Sequence, residues 1–247
     1  MIQGVTEIRD AYRNETVAAS YVDRRFREPL GALLHRRQAN VLKRLIRAHR
    51  PERVLEIAPG PARLTVELAP LLGRRLFVMD ASQQMLSEAT RRLDAIGHPV
   101  CAIAGDAFAL PIGGTFDLVY TFRLIRHFER EDRLRLYRQI HSTLRPNGML
   151  VFDAVNKLVS APLRQRFTSG QFAHYDALLR PDGLQRELHE AGFNVEALIG
   201  VQHRYSLLLQ TQVLVAPRSR ALARAAMEVI DRSGGEPLEW LAVCRRA

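Results

Sequence analysis

A chain of 247 residues, 47% hydrophobic and 25% charged, suits one medium-sized α/β domain with excursions and can bury a real core. Its formal charge of +10 rests on 34 arginines and only two lysines, a bias that reflects coding composition as much as nucleic-acid binding. No run of about 18 uncharged apolar residues predicts a membrane span, the opening "MIQGVTEIRD" lacks the apolar segment of a secretion signal, and a cytoplasmic location is expected.

Residues 1–50 read as a helical lead-in, with Leu33, Leu34, Val41, Leu42, Leu45 and Ile46 apolar among arginines. Eleven cationic against five anionic side chains concentrate charge there, which fits an anionic substrate, RNA, a membrane surface or a solvated face. From residue 51 short apolar runs alternate with amphipathic segments. The runs are "RVLEIA", "RLFVMD", "PVCAIAGD", "FDLVYTF", "GMLVFDAV", "FNVEALIGV" and "LEWLAVCRR". The first five are nearly continuous in hydrophobicity, as strands buried on both faces should be. Cys101 and Cys244 fall inside such runs and are expected as buried free thiols.

The intervening segments predict helices. "SQQMLSEATRRLDAIG" starts on a capping Ser82 and aligns Met85, Ala89, Leu93 and Ile96. "REDRLRLYRQIHSTLRPNG" aligns Leu136, Ile140 and Leu144 and is expected to stop at Pro146 and Gly148. "RPDGLQRELHEAGF" offers Asp182 as N-cap and Gly192 as stop. Residues 156–178 and 203–217 break the alternation and read as insertions or lid elements. The prediction is a doubly wound, mostly parallel sheet.

In such a sheet the ligand sits beyond the carboxyl ends of the strands, beside the first. Three acids occupy those ends, Glu56, Asp80 and Asp106, spaced 24 and 26 residues apart, one strand–helix unit each. The loop "VLEIAPGPARLT" has Ala58, Gly60 and Ala62 where a dinucleotide loop would have glycines. A carboxylate at its mouth repels a pyrophosphate and welcomes a cationic amine. An acid ending the second strand suits ribose hydroxyls, and one after the third suits an adenine amino group.

These segments, with "LFVMDASQQML", "GDAFALPI", "FDLVYTFRLIRHF" and "LRPNGMLVFD", resemble in order and spacing the class I S-adenosylmethionine-dependent methyltransferases. The likeness covers about residues 38–247 and implies a Rossmann-like, seven-stranded, mostly parallel sheet with its last strand antiparallel. It implies a helical cap at 1–50 and a cofactor-binding domain at 51–247. It also implies S-adenosyl-L-methionine as cofactor and S-adenosyl-L-homocysteine as product. By that resemblance Glu56, Ala58 and Gly60 hold the methionine end. Asp80 and Ala81 serve the ribose, Met85 packs on adenine, and Asp106, Ala107 and Phe108 read its edge. Thr121 lines the pocket and Tyr21 closes over it. Ala58 and Ala62 depart from the family's glycines. Met85 equally suits core packing, and Tyr21 equally suits anchoring the lead-in.

His127, after the fourth strand, is the best-placed proton acceptor, ahead of His174, Tyr175 and His203. Arg123 and Arg126 would pair with an anionic substrate or face water. "TFRL" after that strand lacks the Asn/Asp-Pro-Pro-aromatic pattern of nucleobase amine methylation, so DNA is not expected, and no Cys/His spacing suggests a metal. The expected function is methyl transfer to O, N or C of a small natural-product or quinone-like acceptor. RNA methylation through the basic segment, docking to an anionic membrane, and cofactor binding without transfer are the alternatives.

Overall fold

The structure is a computed structural model that describes residues 26–72, 76–98, 100–110, 115–166 and 176–247; Tyr21, His174 and Tyr175 lie outside them. Helix α1 (Pro29–His49) leads into β1 (Val54–Ile57), α2 (Arg63–Leu68), β2 (Leu76–Asp80), α3 (Gln83–Asp94), β3 (Cys101–Ala104) and β4 (Phe116–Thr121). There follow α4 (Arg130–Thr143), β5 (Leu144–Asn156), α5 (Lys157–Arg166), β6 (Leu178–Leu179), α6 (Pro181–Glu190), β7 (Phe193–His203), α7 (Tyr205–Leu214), α8 (Arg220–Arg232) and β8 (Pro237–Arg246).

The strands form one sheet in the order β3-β2-β1-β4-β5-β8-β7, with two-residue β6 added to the end of β5. Pairing is parallel from β3 across to β5, and β8 runs antiparallel to both of its neighbours. The chain winds outward from β1 to β3, then returns to lay β4 on the other side of β1. That reversal opens a crevice at the carboxyl ends of β1 and β4.

Strand periodicity divides the core in two. Val54, Leu76, Leu118, Tyr120 and Val151 face one side with α1 to α3, where Leu42, Leu64, Ala89 and Leu93 meet them. Leu55, Ile57, Met79, Val119, Leu150 and Phe152 face the other, against Leu136 and Ile140 of α4 and Leu184 and Leu188 of α6. Burial on both faces explains why these strands lack a polar alternation. Ser82 caps α3 as expected, its hydroxyl accepting from the Met85 amide at 3.3 Å. Gly192, at φ 86°, follows the end of α6.

Several expectations are corrected. β3 is the edge strand and is largely exposed, so Cys101 is an exposed thiol, whereas Cys244 is buried. Helix α4 stops at Thr143, because residues 144–148 already extend into β5. Ile96 lies past the end of α3 and is exposed. Arg180, not Asp182, is the N-cap of α6; Asp182 stands in its first turn and pairs with Arg186 four residues on. Residues 203–217 read in the sequence as an insertion or lid element. They form α7, which with α8 packs on α1 through Leu208, Met227 and Leu33.

Helix α8, unforeseen in sequence, partly neutralises the basic lead-in. Arg36 reaches Glu228, and Arg37 bridges Glu228 and Asp231. Lys43 and His35 meet Glu67 of α2. On the opposite face Arg133 of α4 grips Glu187 of α6 through two 2.7 Å bonds, with both side chains almost fully buried. Removing one member strands a buried charge, which typically costs about 3–5 kcal/mol. Glu187→Ala is therefore expected to lower the unfolding free energy by about 3 kcal/mol in urea denaturation. A change under about 1 kcal/mol would mean that Arg133 finds water instead.

Candidate active site

The crevice beside β1 holds a cavity of about 420 Å³, within the range of small-ligand sites. Its wall contains Glu56, Ala58, Gly60, Asp80, Ala81, Met85, Asp106, Ala107, Phe108 and His127. Of the twelve residues expected as cofactor contacts or best-placed proton acceptor, eleven fall among the described residues, and ten of these meet here. Thr121 is the exception. It is fully buried, its hydroxyl finds no partner among the described residues, and it does not line the cavity. Strand alternation turns it into the sheet's second core, and Phe122 and Arg123 take its place in the wall.

The loop after β1 is built by alternation. Ala58, Gly60 and Ala62 have φ of 54°, 56° and 55°, while the rings of Pro59 and Pro61 hold φ near about −65°. Both alanines thus adopt the left-handed angles that glycine would take freely, and alanine pays about 1 kcal/mol to do so. Among the described residues, no atom beyond its chain neighbours lies within 4 Å of where a Cβ on Gly60 would stand, so conformation calls for glycine there.

The two prolines have no N–H, and the other three amides are already engaged. Ala58 donates to the Met79 carbonyl at 2.7 Å, Gly60 to Asp80 Oδ2 at 3.2 Å, and Ala62 to the Pro59 carbonyl at 3.1 Å. Residues 58–62 therefore have no spare backbone donor for a pyrophosphate cradle.

The three acids differ in their work. Glu56 is buried, and both of its bonded donors, the hydroxyls of Thr65 and Tyr120, go to Oε2. Its other oxygen accepts nothing from the described residues. Burial pushes its pKa up to about 7, against those two hydrogen bonds and the charge of Arg63. Since the ordinary value is 4.5, Glu56 favours the native state most below pH 4.5. That contribution disappears as pH rises through about 7.

Asp80 accepts from the Ser82 amide at 2.9 Å and from Gly60, tying the loop to the start of α3. Burial raises its pKa too, opposed by these backbone bonds. Asp106 accepts from the Phe108 amide at 3.0 Å and so shapes its own turn while facing the cavity.

On the far side a short 3₁₀ turn, Ile125–His127, follows β4. His127 presents Nδ1 to Asp176 Oδ1 at 3.3 Å, and Arg164 holds the other Asp176 oxygen at 2.6 Å. Arg126 meets neither water nor cavity. It is buried in ion pairs with Asp153 of β5 and Glu239 of β8. His203 is likewise remote, paired with Asp231 of α8 at 3.2 Å.

Sequence reasoning missed Phe26, Arg63, Phe122, Leu124 and Phe128 in the wall. Arg63 left a signal, since a cation in the first turn of a helix opposes the helix dipole and calls for a reason. Here it stacks 3.9 Å above the Phe26 ring and bonds His35 and Gln38. Phe108 and Phe128 meet edge to face at 4.9 Å.

Residues 54–148, which span every strand end just described, match the family model for a methyltransferase domain. Solved structures extend the likeness beyond that segment. Magnesium protoporphyrin IX methyltransferase from Synechocystis PCC 6803, with bound S-adenosylhomocysteine, superposes with TM-score 0.62 at 14% identity, over 89% of this chain and 86% of that one. A possible histamine N-methyltransferase from Thermotoga maritima gives 0.62 at 18%, over 94% and 97%. N-methyltransferase NodS from Bradyrhizobium japonicum WM9, in complex with S-adenosylhomocysteine, gives 0.57 at 18%, over 85% and 86%. No curated protein sequence matches. The fold of these structures is thus shared across most of this chain.

The left-handed alanines give this loop a measurable signature. Ala58 is half-buried, so Ala58→Gly relieves strain at little packing loss and is expected to raise the unfolding free energy by about 0.5–1 kcal/mol. Ala62 is fully buried. Its lost methyl, worth about 0.8 kcal/mol, offsets the same relief, and Ala62→Gly should stay within about 0.5 kcal/mol of wild type. Denaturant titration of the pair checks this, and an Ala58→Gly protein less stable than its parent would contradict it.

Proposed function

We propose that this protein is an S-adenosylmethionine-dependent methyltransferase acting on a small-molecule acceptor, with His127 as the proton acceptor. The reading is carried by Glu56: a buried carboxylate with one oxygen left to the cavity, above a loop without spare amides. That combination suits an ammonium and disfavours a phosphate. Asp80, with lone pairs beyond those given to the backbone, would hold ribose hydroxyls. Asp106 and the amide of Ala107 would read adenine, and Met85 and Phe108 would cover it. When bound, S-adenosylmethionine supplies an activated methyl group.

The chain's own contribution is then alignment in a dry pocket. Phe122, Leu124 and Phe128 exclude water on the acceptor side. The Asp176 carboxylate beside Nδ1 would stabilise the positive charge His127 gains when Nε2 takes a proton from a hydroxyl or carbon acid. Pairing of Arg36, Arg37 and Lys43 within the chain favours a small acceptor over RNA. On a hydroxyl acceptor, His127→Ala is expected to lower kcat by about 10²–10⁴-fold with KM little changed. An unchanged kcat would remove the base.

Calorimetric titration tests the cofactor reading directly. S-adenosylmethionine and S-adenosylhomocysteine should bind and NAD should not. Asp80→Asn should weaken binding about 10- to 100-fold. Protonated Glu56 cannot pair with an ammonium, so affinity should fall as pH drops below about 7, by up to tenfold per unit, and Glu56→Gln should flatten that slope. NAD binding in place of the two sulfur nucleosides would overturn the proposal.

A further inference from the structure

Arg123, directly after β4, lines the cavity but has not been given a task. Its backbone is held in the left-handed region at φ 65°, and its amide donates to buried Asp153 at 2.6 Å. The conformation is uncommon for a residue with a side chain and survives only where the surroundings impose it. What it achieves is to project a half-buried guanidinium into the cavity wall.

Among the described residues that guanidinium has no counter-ion: no carboxylate of theirs lies within ion-pair distance, and its Nε is buried with no hydrogen-bond acceptor from them. The neighbouring cations behave differently. Arg126, three residues on, is committed to Asp153 and Glu239, and Arg63 is committed to His35, Gln38 and the Phe26 ring. Asp153 does not serve Arg123, since its oxygens go to the Arg123 amide and to Arg126. An arginine is charged at every physiological pH, and a half-buried one left unmatched is costly. A ligand anion resolves that.

We propose that Arg123 is a specificity-determining residue that binds a carboxylate of the methyl acceptor. The inference rests on the function proposed above and narrows its substrate class to an apolar or aromatic acid. Two carboxylates could come within reach, the acceptor's and the cofactor's own. The position favours the acceptor. Arg123 shares its segment with Leu124, His127 and Phe128, whereas the cofactor reading uses the ends of β1 to β3 and has Arg63 beside them. The planar fork of arginine suits a carboxylate through two parallel bonds, with Leu124 and Phe128 nearby to cover an apolar body.

The test is calorimetry with benzoate, salicylate and 4-hydroxybenzoate against the three corresponding amides, on protein loaded with S-adenosylhomocysteine and on free protein. The acids should bind about tenfold or more tighter than the amides. Arg123→Gln should erase that preference, Arg123→Lys should keep part of it, and the affinity for S-adenosylhomocysteine should stay within about twofold in both. Equal binding of acids and amides, or no binding by any acid, overturns the proposal. So does a loss of about tenfold or more in S-adenosylhomocysteine affinity on Arg123→Gln, which would give Arg123 to the cofactor's carboxylate. Failure of wild type to bind S-adenosylhomocysteine sinks the proposed function instead, and the free-protein titrations still report on Arg123. Should Arg123→Gln not fold, Arg123→Lys and the wild-type acid–amide comparison decide.

Discussion

The carboxylate of Asp80 holds two chain segments in register, and the site depends on it. One oxygen takes the Gly60 amide and the other takes Ser82, so the loop after β1 and the turn into α3 are fixed to the end of β2. A loop alternating left-handed residues with prolines has few conformations of its own, and this tie selects one. The same bond consumes the last amide that could have served an anion. The loop's chemistry thus passes from backbone to side chains, to the carboxylates at the strand ends.

Much of this was legible in the sequence because it depends on strand periodicity and on acids at strand ends, both local patterns. Runs without polar alternation identified strands covered on both faces, and acids one strand–helix unit apart marked the ligand side. Ser82 was legible for the same reason, since a cap is decided within four residues.

What escaped depends on neighbours far away in sequence. The run at Cys101 is as apolar as its neighbours, yet only sheet order makes it an edge. Thr121 and Arg123 differ by two positions, but the left-handed turn at Arg123 breaks the alternation that would put both on one side. Arg126 read as a surface or substrate arginine because Asp153 and Glu239 lie 27 and 113 residues away along the chain. Helix α8 was hidden in a stretch without strand signals, although Ser219 caps it and its charged face answers α1.

The position of β8 has a further consequence. It is hydrogen-bonded on both edges, to β5 and β7, and supplies Glu239 to the buried pair beneath the 3₁₀ turn. During synthesis β5 and β7 both leave the ribosome before it, so they cannot pair with each other without closing its slot. The cavity wall after β4 therefore reaches its final form only after residues 237–246 insert. The strand ends of β1 to β3 that line the opposite wall are complete about 130 residues earlier in the chain. Nascent chains halted before β8 would carry the cavity wall of β1 to β3 without a settled wall opposite it.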